Sequence, residues 1–243
     1  MKTETHLQQV ANSYNRHFTE RGTANDLSYD KLPEYITSNP DYPFWKEETD
    51  NGCVNNRRID PKEYLSPAKD MKFIHLGCSL NLMFKGYDKW PSVYHGVDIS
   101  SETIELLTRY VRENNLSIGA LHCGSVHETP FADNYFDIGD CIGVLEYYDK
   151  DFVLAAIKEI HRILKPGAKL VLDIPNIESP SGRAMMLIEE YMGRASLFDM
   201  LPQDFEKIVQ EYFEIEDSGR LRAEACGEKH MYMGILYCLR CRK

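Results

Sequence analysis

The chain reads Met71-Lys-Phe-Ile-His-Leu-Gly77-Cys78 and then Tyr94-His-Gly-Val-Asp98-Ile99-Ser100. An apolar strand that runs into a glycine lets the backbone approach a ligand, because glycine carries no Cβ and tolerates positive φ. A carboxylate closing the next strand, about 20 residues on, accepts hydrogen bonds from vicinal hydroxyls such as those of a ribose. Together these imply a nucleoside-bearing cofactor on an α/β sheet. The turn itself, His75-Leu-Gly77-Cys78-Ser79-Leu-Asn81, has a single glycine where a glycine-rich cradle is expected. A second group of interest is Cys238-Leu-Arg-Cys241. It lies in an apparent strand, where residues three apart face opposite sides, so it reads as core packing before metal or redox chemistry.

The elements that must position these residues alternate from Met71 onward. Strands are expected at 72–76, 93–98, 118–123, 136–143 and 168–175, followed by FEIEDSGRL and MYMGILYCLRC. Helices are expected at 101–114, with Ser100 or Ser101 as N-cap, at 150–164, stopped by Lys165-Pro166-Gly167, and at 183–193. Such alternation builds right-handed βαβ units on a mostly parallel sheet. The last two strand segments lie close together and predict a hairpin with one antiparallel strand.

Residues 1–67 differ. A short amphipathic helix is expected around VANSYNRHF, then loops and short helices rich in Pro, Asn, Asp and Tyr. The aromatics of this segment imply packing on the main domain of residues 68–243, as a lid or as a structural extension. A net charge of -10 disfavours a nucleic-acid partner, since phosphate binding is driven by Lys and Arg. No apolar run approaches the ~18 residues of a membrane span, and the N-terminus lacks a signal-peptide core. A cytoplasmic protein that does not engage the membrane is expected. The seven cysteines read as buried free thiols.

Over residues 68–243 the chain resembles the class I S-adenosylmethionine-dependent methyltransferases. FIHLGCS matches their first strand and glycine turn, and GVDIS their ribose-binding strand end. TPFADNYFD followed by LKPGAKLVLDIPN matches their fourth and fifth strands, and this tandem is the more specific signal. The resemblance implies an α/β, Rossmann-like sheet of seven strands ordered 3-2-1-4-5-7-6, the last antiparallel, with S-adenosylmethionine as cofactor. It places His75, Gly77, Cys78 and Ser79 at the methionine end and Asp98 and Ile99 at the ribose. Ser125 and Val126, with His127 beside them, border the adenine; Cys141 and Ile142 lie near the sulfonium. Tyr147 falls where relatives face the acceptor, Tyr14 matches an N-terminal helix tyrosine that closes over the cofactor, and His17 is a candidate base. Asn176 follows the fifth strand in a loop that would line the acceptor pocket.

The chain departs from that pattern at four places. His75 replaces an acid, Ser79 and Asn81 replace glycines, and Ser125 replaces an aspartate. The expected activity is methylation of a small-molecule acceptor. Transfer of another part of the cofactor (aminocarboxypropyl transfer or cyclisation) and a non-catalytic scaffold are the alternatives.

Overall fold

A computed structural model describes residues 2–21, 32–50, 60–194, 196–220 and 233–243. In chain order the N-terminal segment gives α1 (Lys2–Arg21), α2 (Glu34–Thr37), α3 (Tyr42–Asp50) and α4 (Pro61–Leu65). The sheet domain follows with β1 (Lys72–Leu76), α5 (Asn81–Phe84), β2 (Val93–Asp98), α6 (Ser101–Glu113), β3 (Leu121–Cys123) and β4 (Phe136–Cys141). It continues with α7 (Lys150–Ile163), β5 (Leu164–Pro175), α8 (Pro180–Tyr191), α9 (Pro202–Gln210), β6 (Phe213–Arg220) and β7 (Gly234–Cys241). The seven strands form one sheet ordered β3-β2-β1-β4-β5-β7-β6. β1 to β5 run parallel, and β7 pairs antiparallel with both β5 and β6. This is the expected topology.

Local chemistry explains most boundaries. Ser100, Asp149 and Ser179 each accept a backbone N–H in the first turn of α6, α7 and α8, and α8 also has proline at its first position. Alternation along the strands sends Ile74 and Leu76 to one face, with α7 and α9, and Phe73 and Tyr94 to the other, with Leu82 of α5 and Leu107 of α6. Cys238 and Cys241 belong to the two opposite cores, which separates the thiols of the CxxC.

Several boundaries differ from expectation. α1 is 20 residues long rather than a short helix. α9 lies between α8 and β6, where no second helix was expected; its start is a proline rather than a capping side chain. β5 begins at Leu164, so Lys165-Pro166-Gly167 ends α7 by entering the sheet, where Leu164 pairs with Phe136 across a bulge. β3 is only three residues, because the chain before it bonds irregularly, through Gly119 to Tyr94, outside a regular ladder.

The described parts of the N-terminal segment pack in three places. α1 leans on α6, α4 lies against β4 and β5, and α2 and α3 sit on α8. Ile36 and Trp45 join Ala184, Ile188 and Met233 in a small third core. Buried Glu48 of α3 accepts the Ser181 hydroxyl and the Met233 N–H, which ties this segment to both α8 and the entrance of β7.

The turn after β1 shows how tightly the sheet end is packed. Gly77 has φ +71, and a Cβ there would lie 2.1 Å from Val144 Cγ2. Gly77→Ala combines a disfavoured left-handed residue with overpacking, so it should cost about 2–4 kcal/mol. Urea unfolding of the variant beside the unsubstituted protein measures this.

Candidate active site

A cleft, about 630 Å³ counting the solvent at its mouth, opens at the carboxyl ends of β1, β2 and β4. Its floor is Gly77, Ser79, Asn81, Asp98 and Ile99; Gly124, Ser125 and Val126 close one side, and Ile142 to Val144 with Tyr147 and Tyr148 close the other. Val10 and Tyr14 of α1 complete the wall. Ligands of α/β sheets bind at such a place, where strand order reverses between β1 and β4.

Asp98 is the central group. Its Oδ2 accepts the Ser79 N–H at 2.7 Å and its Oδ1 accepts the Ser100 N–H at 2.9 Å. Burial pushes the carboxyl up, and the two N–H donors oppose that by favouring the anion. Each carboxylate oxygen has a second lone pair for a ligand hydroxyl. Ser79 has φ +43, so the serine keeps the left-handed backbone that a glycine would adopt there, at a cost of about 1–2 kcal/mol. Gly77 and Cys78 both donate their N–H to Val97 O, at 2.8 and 2.9 Å. The turn is thereby braced by β2.

The acceptor side is aromatic and polar. Tyr14 Oη and Tyr147 Oη are 2.9 Å apart, Tyr147 reaches Glu189 Oε2 at 3.4 Å, and Arg194 pairs with the same oxygen at 2.9 Å. The Arg194 guanidinium lies 4.8 Å from the centre of the Tyr14 ring, a cation–π arrangement. Burial pushes both phenols up, so they stay neutral donors and acceptors across the working pH range. His6 meets Tyr147 O at 2.7 Å, and Ser100 Oγ donates to Asn15 Oδ1 at 2.7 Å. α1 is thus bound to both banks of the cleft. Half-buried Glu146 follows the fourth strand; burial first, and then the Asp173 carboxylate, push its carboxyl up to about 8.

The structure brings most of the anticipated residues together. Gly77, Ser79, Asp98, Ile99, Ser125, Val126, Ile142, Tyr14 and Tyr147 all line the cleft. Four others do not. His75 is buried under Asn81, on the face of Phe73 and Tyr94, because side chains two apart on β1 share a face. Cys78 points into the same core, and its amide is already bonded to Val97. Cys141 is fully buried in the opposite core. Asn176 acts as a turn acceptor for Ser179 and is not in the cleft wall. The side chain of His17 lies outside the described residues. Sequence reasoning missed Val10, Gly143, Tyr148, Glu189 and Arg194. Only the i, i+4 spacing of Val10 from Tyr14 marked any of these, since α8 and the chain after it reach the site through tertiary packing.

Residues 74–172 match the family model described as a methyltransferase domain. Over those residues the chain is similar to methyltransferase domains. An uncharacterized protein of Methanocaldococcus jannaschii is 32% identical over 112 residues, which are 46% of this chain and 44% of that protein. Among solved structures, a protein of Pyrococcus horikoshii OT3 superposes with a TM-score of 0.59 at 18% identity, over 87% of this chain and all of that one. The geranyl diphosphate C-methyltransferase of Streptomyces coelicolor, in complex with Mg²⁺, geranyl-S-thiolodiphosphate and S-adenosyl-L-homocysteine, gives 0.64 at 12% identity. That alignment covers 97% of this chain and 98% of the other. At these identities the structural likeness establishes the fold. Among the described residues no helix is long and apolar enough to cross a membrane.

The raised Glu146 carboxyl has a stability consequence with a defined sign. Between its unfolded value of about 4.5 and its folded value of about 8, the folded chain holds a proton that the unfolded chain has lost. Stability therefore falls as pH rises through that window and levels above it. Glu146→Gln should flatten this part of the profile, as read from urea midpoints between pH 5 and 9; an unchanged slope would place the titration elsewhere.

Proposed function

We propose that this protein is an S-adenosylmethionine-dependent transferase that methylates a small molecule in the cleft beneath α1. The observation that carries the reading is Asp98, a buried carboxylate at the end of β2 that lines the cleft at the carboxyl ends of the parallel strands. The residues fit that cofactor. Asp98 has acceptor capacity for two ribose hydroxyls, Ile99 and Val126 supply apolar surface for a flat base, and Ser125 adds an acceptor. The glycine turn keeps its backbone shape despite Ser79.

S-adenosylmethionine, when bound, supplies a methyl group on a sulfonium, open to in-line displacement by a nucleophile. The chain's own contribution is positioning and exclusion of water. Val10 and Tyr14 close the cleft from α1, and Tyr147 and Tyr148 close it from the loop after β4. The neutral phenols of Tyr14 and Tyr147 present hydrogen-bonding oxygens to an acceptor, and Glu189, balanced by Arg194, fixes their orientation. Within the N-terminal segment of residues 1–67, α1 acts as the lid in this reading. A net charge of -10 supports a small molecule over a nucleic acid as acceptor.

The test is titration calorimetry with S-adenosylmethionine and S-adenosylhomocysteine. Micromolar binding of either is expected, and Asp98→Asn should weaken it by roughly 100-fold, because one acceptor becomes a donor at the ribose. Circular dichroism without denaturant should still show the folded spectrum in that variant, with a lower urea midpoint because one of the Ser79 and Ser100 amides loses its acceptor. Absence of binding at millimolar ligand would leave a scaffold as the better reading, and equal affinity in the variant would remove Asp98 from the site.

A further inference from the structure

The least conventional part of this cleft is the layer directly beneath its floor. Asn81 lines the cleft, and its Nδ2 lies 3.4 Å from Nε2 of His75. His75 is buried, and its Nδ1 is 3.4 Å from the Tyr94 hydroxyl. Asp140, its register partner on β4, lies farther from Nε2, at 3.7 Å, and accepts the Tyr87 hydroxyl at 3.0 Å. Burial pushes the imidazole down to about 3, so His75 is neutral and one ring nitrogen is an acceptor. Asn81 Nδ2 is the nearer group at Nε2 and is donor-only. The carboxamide is planar, so engaging Nδ2 below leaves its carbonyl oxygen as the group to face the cleft.

We propose that His75 is a positioning residue that turns the Asn81 carbonyl oxygen toward the cleft, where it binds the ammonium group of the cofactor's amino-acid tail. This rests on the cofactor reading given above and names how one end of that ligand is recognised. An amide dipole replaces a carboxylate as the partner of the cation. A neutral histidine is suited to the support role because a charged one would donate at both nitrogens, turn the amide over and repel the ammonium.

The test compares three ligands by calorimetry: S-adenosylhomocysteine, its decarboxylated analogue, which keeps the ammonium, and 5′-methylthioadenosine, which lacks the whole tail. Asn81→Ala should weaken the first two by roughly tenfold or more and leave the third unchanged, as expected for loss of one hydrogen bond to a charged group. Asn81→Asp should tighten the decarboxylated analogue. His75→Ala should reproduce the selective loss, and His75→Gln, which restores an acceptor under Asn81, should recover it. If the His75 variants do not fold, the Asn81 pair decides alone. Equal loss for all three ligands, no loss, or loss confined to S-adenosylhomocysteine, which would mean the carboxylate is read, each overturns the assignment. If none of the three binds the unsubstituted protein, the cofactor reading itself falls, and this assignment with it.

Discussion

The cleft depends on one buried carboxylate. Asp98 closes β2 and draws together two amides, Ser79 from the turn after β1 and Ser100 from the start of α6. Without that anion, the buried Ser100 N–H would be orphaned, at about 1–3 kcal/mol, and the half-buried Ser79 N–H would lose its acceptor. Ser100 extends the arrangement, because its hydroxyl oxygen accepts the Thr103 N–H at the head of α6 while its proton goes to Asn15 of α1. A single side chain therefore fixes the turn, the helix start and, one bond further, the helix that closes the cleft. The same group is the natural partner for a ligand's hydroxyls, so the structural and binding demands on Asp98 coincide.

The opposite bank is organised by compensation of charge. Glu189 and Arg194 are both buried, which is tolerable only because they pair at 2.9 Å and share further partners. Tyr147 and Tyr14 complete the shell, and the Tyr14 ring lies against the Arg194 guanidinium. The result is a rigid polar wall in which the phenols remain neutral. Glu146, carrying a raised carboxyl beside Asp173, sits just behind it. The segment after α8 wraps the same loop: Ser196 bonds to Glu146 O and Leu197 N–H to Tyr147 O. Three parts of the chain distant in sequence thus converge on residues 146 and 147.

The departures in the glycine turn have separate physical answers. Ser79 keeps a left-handed backbone because its amide is held by Asp98 and β2 braces the two residues before it. His75 replaces an acid, but it stands below the floor of the cleft and stays neutral, so it places no charge against a bound cation. A turn with one glycine can therefore hold the shape usually supplied by several, provided its neighbours over-determine it.

While the strand order came only with the family resemblance, the sequence by itself determined the strand and helix alternation, a mostly parallel sheet of right-handed βαβ units and the carboxylate at the end of β2. These are local or topological facts, set by side-chain periodicity, capping residues and chain handedness. The resemblance marked Tyr14 and Tyr147 separately, and the structure brings these two residues, 133 apart in sequence, into hydrogen-bond contact. Tertiary structure decided the rest. It sent His75, Cys78 and Cys141 into the cores, because a residue at a strand end faces the ligand or the interior according to pleat and packing, which a motif match does not carry. It brought Glu189 and Arg194 to the acceptor side, since nothing in the periodicity of α8 states which bank of the cleft its far end will meet. It also made α1 a wall of the cleft, through hydrogen bonds to residues about 85 to 140 positions away that no local spacing encodes.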